Sequence, residues 1–383
     1  MRHLLLGLTI AGCLVSAALA QDKSEKAAPK GASAEYHKKL KECTAARARH
    51  EAVAVPYWSR IAEKRKVRFA KRRNGERITL NDYVLEQPPV YAGPPCPPDP
   101  TVKQEDQPED KAELPVVADF LRHAKEHFGF EPEQASENAF KRAYVEVASA
   151  AGITGQQAVR VYSFETGGNG RFDAQAGLIF DKPGARAIST ALGYNQLLTS
   201  NTASLLATKG DRFVKALQER AAAAPADIRK KLERKIEILK RMVAFSRTVP
   251  VQWSDHVRLA RTPKGIALHA LNLDVDIGPL LQTQKLLDSI LYARAKGIDR
   301  ELTAAELEMM NLTGDGNGFD MLTLPPGMRA QVPTSNYFQS LGYERNPIAR
   351  RTQVVEKLIA ETDAVMDRRS RAEGAQALAR LFR

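Results

Sequence analysis

Nine prolines stand between residues 88 and 115: Pro88, Pro89, Pro94, Pro95, Pro97, Pro98, Pro100, Pro108 and Pro115. Proline lacks an amide hydrogen and clashes with the preceding helical turn, so a stretch this rich in it suits neither a helix interior nor a central strand. The composition predicts an extended linker with polyproline character over 87–115, and a domain boundary there. Whatever this chain of 383 residues folds into must be built on either side of that break. Before it lies a basic region, 21–86. After it lies a segment long enough to bury a core of its own.

The composition is that of a globular protein, with 43% hydrophobic and 27% charged residues, which excludes wholesale disorder. Three cysteines are too few for a disulfide-dense scaffold or an array of zinc fingers. Residues 1–20 read as an export signal: Arg2 precedes the apolar stretches Leu4–Ile10 and Leu14–Leu19, and Ala18-Leu19-Ala20 is an A-x-A cleavage site. A lipoprotein signal ending at Cys13 is the lesser alternative. Cleavage after Ala20 leaves Cys43 and Cys96, and in an oxidising compartment two cysteines default to one disulfide. Beyond the signal no apolar run is long enough to span a bilayer, so no integral span remains. The expected location is periplasmic or secreted.

The formal charge of +12 suits an anionic partner. Residues 58–77 hold nine Lys or Arg against two Glu, which reads as a contact patch for an anionic surface or, more simply, as a solvated helix face. These basic runs lack the interleaved aromatics of a single-strand binder, so nucleic acid is not an expected partner.

Downstream of the linker the pattern is mainly helical. Amphipathic segments are predicted over 115–128 and 136–151, with Gly152 ending the second, and over 154–165 with Thr154 as N-cap. Gly177, Pro183 and Gly184 punctuate 171–190, which predicts a small β-hairpin. Helices are expected again at 191–208, 211–222, 226–247, 277–296 and 303–312, and one long charged helix at 348–381.

Chemistry concentrates at Glu165. Ala158, Val161, Tyr162 and Glu165 fall at offsets 0, 3, 4 and 7, which places the carboxyl on the apolar face of its helix. Desolvation there raises a carboxyl pKa and makes the group a candidate general acid. Gly167, Gly168 and Gly170 end the helix and leave room for a ligand beside it.

Four short motifs in order give this region a resemblance. They are Glu165-Thr166, then Gly193-Tyr194-Asn195-Gln196 running into Thr199-Ser200-Asn201-Thr202-Ala203, then Met309-Met310-Asn311-Leu312-Thr313-Gly314, then Pro333-Thr334-Ser335-Asn336-Tyr337-Phe338. Together they resemble the signature of the SLT-type lytic transglycosylases of the lysozyme-like superfamily, over roughly a quarter of the chain. Thr166 replaces the family's Ser and Met310 its Tyr, and the gap from Gln196 to Asn311 is longer than the family's.

The resemblance implies a mainly α, α+β lysozyme-like domain over 116–345, with a helical insertion at 209–300 and a C-terminal charged helix at 346–383. It implies cleavage of the β-1,4 bond between N-acetylmuramic acid and N-acetylglucosamine to 1,6-anhydro products, with Glu165 as the one catalytic residue and no cofactor. Thr166, Tyr194, Gln196 and Asn311 are then substrate-binding, and Tyr337 sits by Glu165 and positions it. The partner is peptidoglycan, joined by a cell-wall or envelope assembly protein through the basic region. The alternative is a non-catalytic wall-binding or scaffold protein on the same fold. A hydrolase using Asp173 or Asp181 as a second acid is a variant.

Two other constellations carry less. His123-Ala124-Lys125-Glu126-His127 has the H-x-x-E-H spacing of inverted zinc peptidases but no identifiable third ligand, and reads as two surface histidines. Asp315-Gly316-Asn317-Gly318-Phe319-Asp320 opens like a calcium loop but lacks its later ligands. No metal is expected.

Overall fold

The computed structural model describes residues 34–99, 114–133, 135–178 and 185–383. The expected signal peptide, Cys13, most of the proline-rich segment from Pro100 on, and Asp181 lie outside these residues.

Helix α1 (Ala34–Arg73) is built from Lys, Arg, Ala and Glu, all good helix formers. Residues 34–49 and 92–99 belong to one compact unit, and residues 50–91 and everything from 114 on to another. In the small unit Cys43 and Cys96 form a disulfide with a Cα–Cα separation of 5.1 Å. It closes a loop with a sequence separation of 53, which limits the unfolded chain by about 4 kcal/mol. Reduction, or Cys43→Ser, is expected to expose Lys38, Lys39 and Lys41 to trypsin while the large unit stays intact. Equal trypsin resistance of the oxidised and reduced protein defeats this expectation.

The large unit is helical throughout. Helix α2 (Val117–Phe128) buries Phe120, Ala124 and Phe128. Helix α3 (Glu137–Ala150) is capped by Ser136, whose hydroxyl accepts from the Ala139 amide, and ends at Gly152 with φ 74°. Helix α4 (Gly155–Thr166) starts in a capping box: Gln157 N–H to Thr154 Oγ1 and Thr154 N–H to Gln157 Oε1. It ends at Gly167, φ 75°, in the left-handed region that glycine favours.

Two antiparallel bridges follow, Gln175 with Leu192 and Leu192 with Leu197. Among the described residues these are isolated bridges rather than strands, and the middle of the hairpin expected over 171–190, with Pro183 and Gly184, lies outside the described residues. Residues 191–198 form a folded loop, and the two helices expected over 191–222 are one, α5 (Thr199–Ala223). Helix α6 (Ala226–Ser246) lies against it, and Gly210 permits the close approach: a Cβ there would meet Val243 Cγ2 at 2.4 Å.

Two short helices, α7 (Trp253–Leu259) and α8 (Pro263–Ala267), lead through a 3-10 turn, Leu268–Leu273, to α9 (Gly278–Ala295). Gln282 of α9 accepts from the Asn195 amide (2.8 Å) and donates to the Leu192 carbonyl (3.1 Å). The 209–300 segment therefore helps to form the core and fixes the loop before α5.

Helix α10 (Ala304–Thr313) is capped by Thr303 with Glu306 and is buried from Ala304 through Met310. Helix α11 (Asp315–Leu322) takes up the calcium-loop-like sequence, and its Asp320 accepts from Arg68. Short helices α12 (Pro326–Arg329), α13 (Ser340–Glu344) and α14 (Pro347–Thr352) precede α15 (Val355–Arg369) and α16 (Glu373–Leu381). The single terminal helix expected at 348–381 is thus three, and α15 packs on both α4 and α10. Among the described residues no helix is long and apolar enough to cross a membrane.

The basic stretch 58–77 differs most from expectation. Arg68 is fully buried and donates to Asp320 at 2.8 Å, Arg72 reaches the same carboxylate at 2.6 Å, and Lys71 pairs with Asp82 at 2.7 Å. Arg65 donates to the carbonyls of Asn336 and Phe338 at 3.1 and 2.8 Å. Four of the nine cations are spent inside the protein, where long side chains carry their charge to buried acceptors. The basic region from residue 50 on is a part of the large unit and not an extension beyond a linker.

Candidate functional site

Three helices meet at Glu165. It occupies the last turn of α4, where Ala158, Val161 and Tyr162 of the same face are fully buried. Packing of α10 on α4 brings Asn311 to it, and its Nδ2 donates to Glu165 Oε1 at 2.7 Å. The same nitrogen lies 3.4 Å from Oε1 of Glu308, one helical turn earlier on α10. The amide has two hydrogens and directs one to each carboxyl. Spacing i, i+3 puts Glu308 and Asn311 on one face of α10, which makes this sharing possible.

Glu308 is fully buried, and its Oε2 finds no hydrogen-bond partner among the described residues. Glu165 is partly buried. Glu308 acts on Glu165 as a hydrogen-bonding neighbour that favours its ionised form, and burial of both carboxyls disfavours the doubly ionised pair. Burial pushes the Glu165 carboxyl up to about 7, against the opposing pull of its hydrogen bond with Glu308, the field of Lys285 on α9, the Asn311 amide and Arg369. Burial also pushes Glu308 well above the carboxylate range, and the charge of Glu165 adds to it. Arg369 ends α15, lies 5.9 Å over the Phe164 ring and donates to the Phe164 carbonyl. Near neutral pH the pair is an acid with one partly accessible member and one enclosed member.

Two of the three glycines after Glu165 are required by packing, while Gly167 faces open space. A Cβ on Gly168 would meet the Arg369 carbonyl oxygen at 2.2 Å, and one on Gly170 would meet Thr166 Cβ at 2.2 Å. The Asn169 carboxamide oxygen accepts from the Gly374 amide at 2.9 Å, fixing the loop to the start of α16.

Of the six residues singled out in the sequence, only Glu165 and Asn311 are in contact through their side chains. The Thr166 hydroxyl donates back to the Tyr162 carbonyl at 2.7 Å. Tyr194 is buried among Phe140, Tyr144 and Tyr162, and its hydroxyl donates to Glu137 at 2.6 Å. Gln196, at φ 44°, donates to the Ala174 and Gly193 carbonyls at 3.2 and 2.8 Å. Tyr337 lies in a different place from the one expected: it is buried beside Tyr83 and the Arg68–Asp320 pair, and the groups acting on Glu165 do not include it. Asp173, the candidate second acid, pairs with Arg171 at 3.0 Å. Glu308, Lys285 and Arg369 are the site residues that the sequence did not reveal.

No family model, curated protein or solved structure matches this chain.

The Glu308 hydrogen bond supports the ionised form of Glu165, so its removal has a definite sign. Glu308→Leu is expected to raise the Glu165 pKa further, by about half to one unit for a bond worth ~1 kcal/mol. Glu308→Gln keeps a donor and is expected to leave the value near that of the wild type. Carboxyl titration followed by NMR checks both variants. A fall in the Glu165 pKa on Glu308→Leu contradicts the assignment.

Proposed function

We propose that this protein is an exported peptidoglycan lytic transglycosylase with Glu165 as its acid and base. The observation that carries the reading is the Glu165–Asn311 contact. A carboxyl pushed up to about 7 stands at a helix end and is held by Asn311, one of the two amides that the motif resemblance assigns to substrate binding. Protonated at neutral pH, Glu165 gives its proton to the glycosidic oxygen as the bond to the muramoyl C1 breaks. The carboxylate so formed accepts the proton of the C6 hydroxyl while O6 bonds to C1. The product is a 1,6-anhydro ring, and the carboxyl is returned to its starting form. No second carboxylate has to face the substrate, which suits a site whose other acid, Glu308, is enclosed.

In this reading the helix–bridged loop–helix order from α4 to α5 corresponds to a lysozyme-like α+β core, with the Gln175–Leu192 pairing in place of the family's β element. The Cys43–Cys96 disulfide suits the oxidising compartment that export to the periplasm or medium provides. Peptidoglycan is the proposed partner, with no cofactor. Because Arg65, Arg68, Lys71 and Arg72 are engaged internally, wall or assembly contacts fall to other cations of the chain.

The test is mass spectrometry of purified peptidoglycan digested by the mature protein. Anhydro-muropeptides support the reading. Hydrated reducing ends replace it with a hydrolase. No products from a folded protein that binds the wall leaves the non-catalytic wall-binding protein.

A further inference from the structure

We propose that the half-buried His123 and the exposed Glu126 and His127 of α2 form a binding site for a late first-row divalent cation of the zinc, copper or nickel type. The sequence supplies two imidazoles at i and i+4 and leaves the third ligand open. The structure supplies it from the same helix: one donor atom from each of His123, Glu126 and His127 lies within 4.8 Å of the others. The two rings stand parallel, with centroids 5.8 Å apart and planes at 18°, and Glu126 Oε2 lies 3.3 Å from His123 Nδ1. A tetrahedral zinc ion with bonds of about 2.0–2.2 Å holds its donors about 3.3 Å apart. The His123–Glu126 pair already has that spacing, and rotation of side chains alone brings His127 to it.

The backbone beneath is fixed. Phe120, Ala124 and Phe128 bury the adjoining face of α2, so the helix holds its three donors without reordering the chain. Two imidazoles and one carboxylate match zinc and its neighbours in softness, whereas calcium and magnesium take oxygen donors almost exclusively. Three protein ligands leave a fourth position open to water or to a donor from another molecule. This is a surface metal site and not the enclosed centre of a peptidase, and it stands whether or not the reading of Glu165 does.

One neighbour opposes binding. The Arg122 guanidinium lies 3.2 Å from His123 Nε2, donates to Asp119 at 2.8 Å and approaches Glu126 at 3.7 Å. It competes for the Glu126 carboxylate and repels a dication, so the metal must displace it from Glu126. This gives the site a signature that scattered surface histidines lack: Arg122→Ala should tighten binding while the histidine variants weaken it.

The experiment is isothermal titration of the full mature chain with zinc chloride in a non-coordinating buffer at pH 7.5, with calcium chloride in parallel. One zinc per chain with micromolar affinity and no calcium binding is the expected result. His123→Ala and His127→Ala should each weaken zinc binding at least tenfold, Glu126→Gln severalfold, and Arg122→Ala should strengthen it severalfold. Arg122, Glu126 and His127 are exposed and His123 is half-buried, and an unchanged circular dichroism melt confirms the fold of each variant. Absence of one-to-one zinc binding, or His127→Ala binding as the wild type does, overturns the proposal.

Discussion

Glu165→Gln is expected to lower the release of anhydro-muropeptides by at least about 10³-fold and, in the same molecule, to make the fold more stable above neutral pH. The two effects have one cause. A single carboxyl serves as both acid and base in the proposed reaction, and glutamine keeps its size and its bond with Asn311 but can exchange no proton. For stability the sign follows from the raised pKa. The folded state holds the Glu165 proton up to about 7, whereas the unfolded chain releases it near 4.5, the ordinary value of a glutamate. Between those values the folded protein binds more protons than the unfolded one, so stability is full below the lower value and is lost as pH rises through the upper one. The loss is of order 3 kcal/mol at most, and the partial exposure of Glu165 reduces it. Glutamine has no such loss. The variant should melt up to about 5 °C above the wild type at pH 8 and close to it at pH 4.5. Thermal melts at the two pH values, beside the muropeptide assay, separate this from simple damage. A variant that melts lower than wild type at pH 8, or retains wild-type turnover, removes Glu165 from the role.

The same buried acidity explains what the sequence could and could not disclose. Helix α4 was legible because its apolar positions recur at helical spacing and Thr154 and Gly167 mark its ends, and Glu165 stood out as the polar member of an apolar stripe. Asn311 was found through a motif and Glu308 was not. Helix α10 is buried along most of its length, so a carboxyl within Leu307-Glu308-Met309-Met310 interrupts no amphipathic pattern and has no polar face to be missing from. Lys285 escapes for the same reason on α9. Tyr194 and Gln196 show the opposite failure. Their residue types suit sugar binding, but the folded loop before α5 needs a hydroxyl for Glu137 and an amide for its own carbonyls, and sequence cannot say which demand is met first. The prolines mark no domain edge, because residues 50–91 on their near side share a unit with the chain beyond them, and helix α1 there is held by partners hundreds of residues away.

Those partners set the second large effect. Asp320 is fully buried and accepts from Arg68 Nε at 2.8 Å, from Arg72 Nη2 at 2.6 Å and from the Tyr83 hydroxyl at 3.3 Å. Arg68 is itself fully buried, 4.3 Å over the Tyr83 ring, and also donates to the carbonyls of Asp82 at 3.1 Å and Asn336 at 3.3 Å. Asn336 closes the arrangement by bonding both the amide and the carbonyl of Val84. Asp320→Ala strands the guanidinium of Arg68 without a counter-charge in a site closed to water, and the expected cost is about 3–5 kcal/mol. Arg68→Met is expected to cost a similar amount, because it leaves Asp320 with Arg72 as its one remaining counter-charge and takes a donor from the Asp82 and Asn336 carbonyls. The charges matter here less for their attraction than for the penalty of leaving either one alone. Accordingly the double variant Arg68→Met with Asp320→Leu should lose less than the sum of the two singles, by at least about 2 kcal/mol of coupling. Urea unfolding of the four proteins closes the cycle. Additive single effects, or an Asp320→Ala cost under about 1 kcal/mol, mean that α1 is held to α11 by its apolar contacts and that the buried pair is incidental.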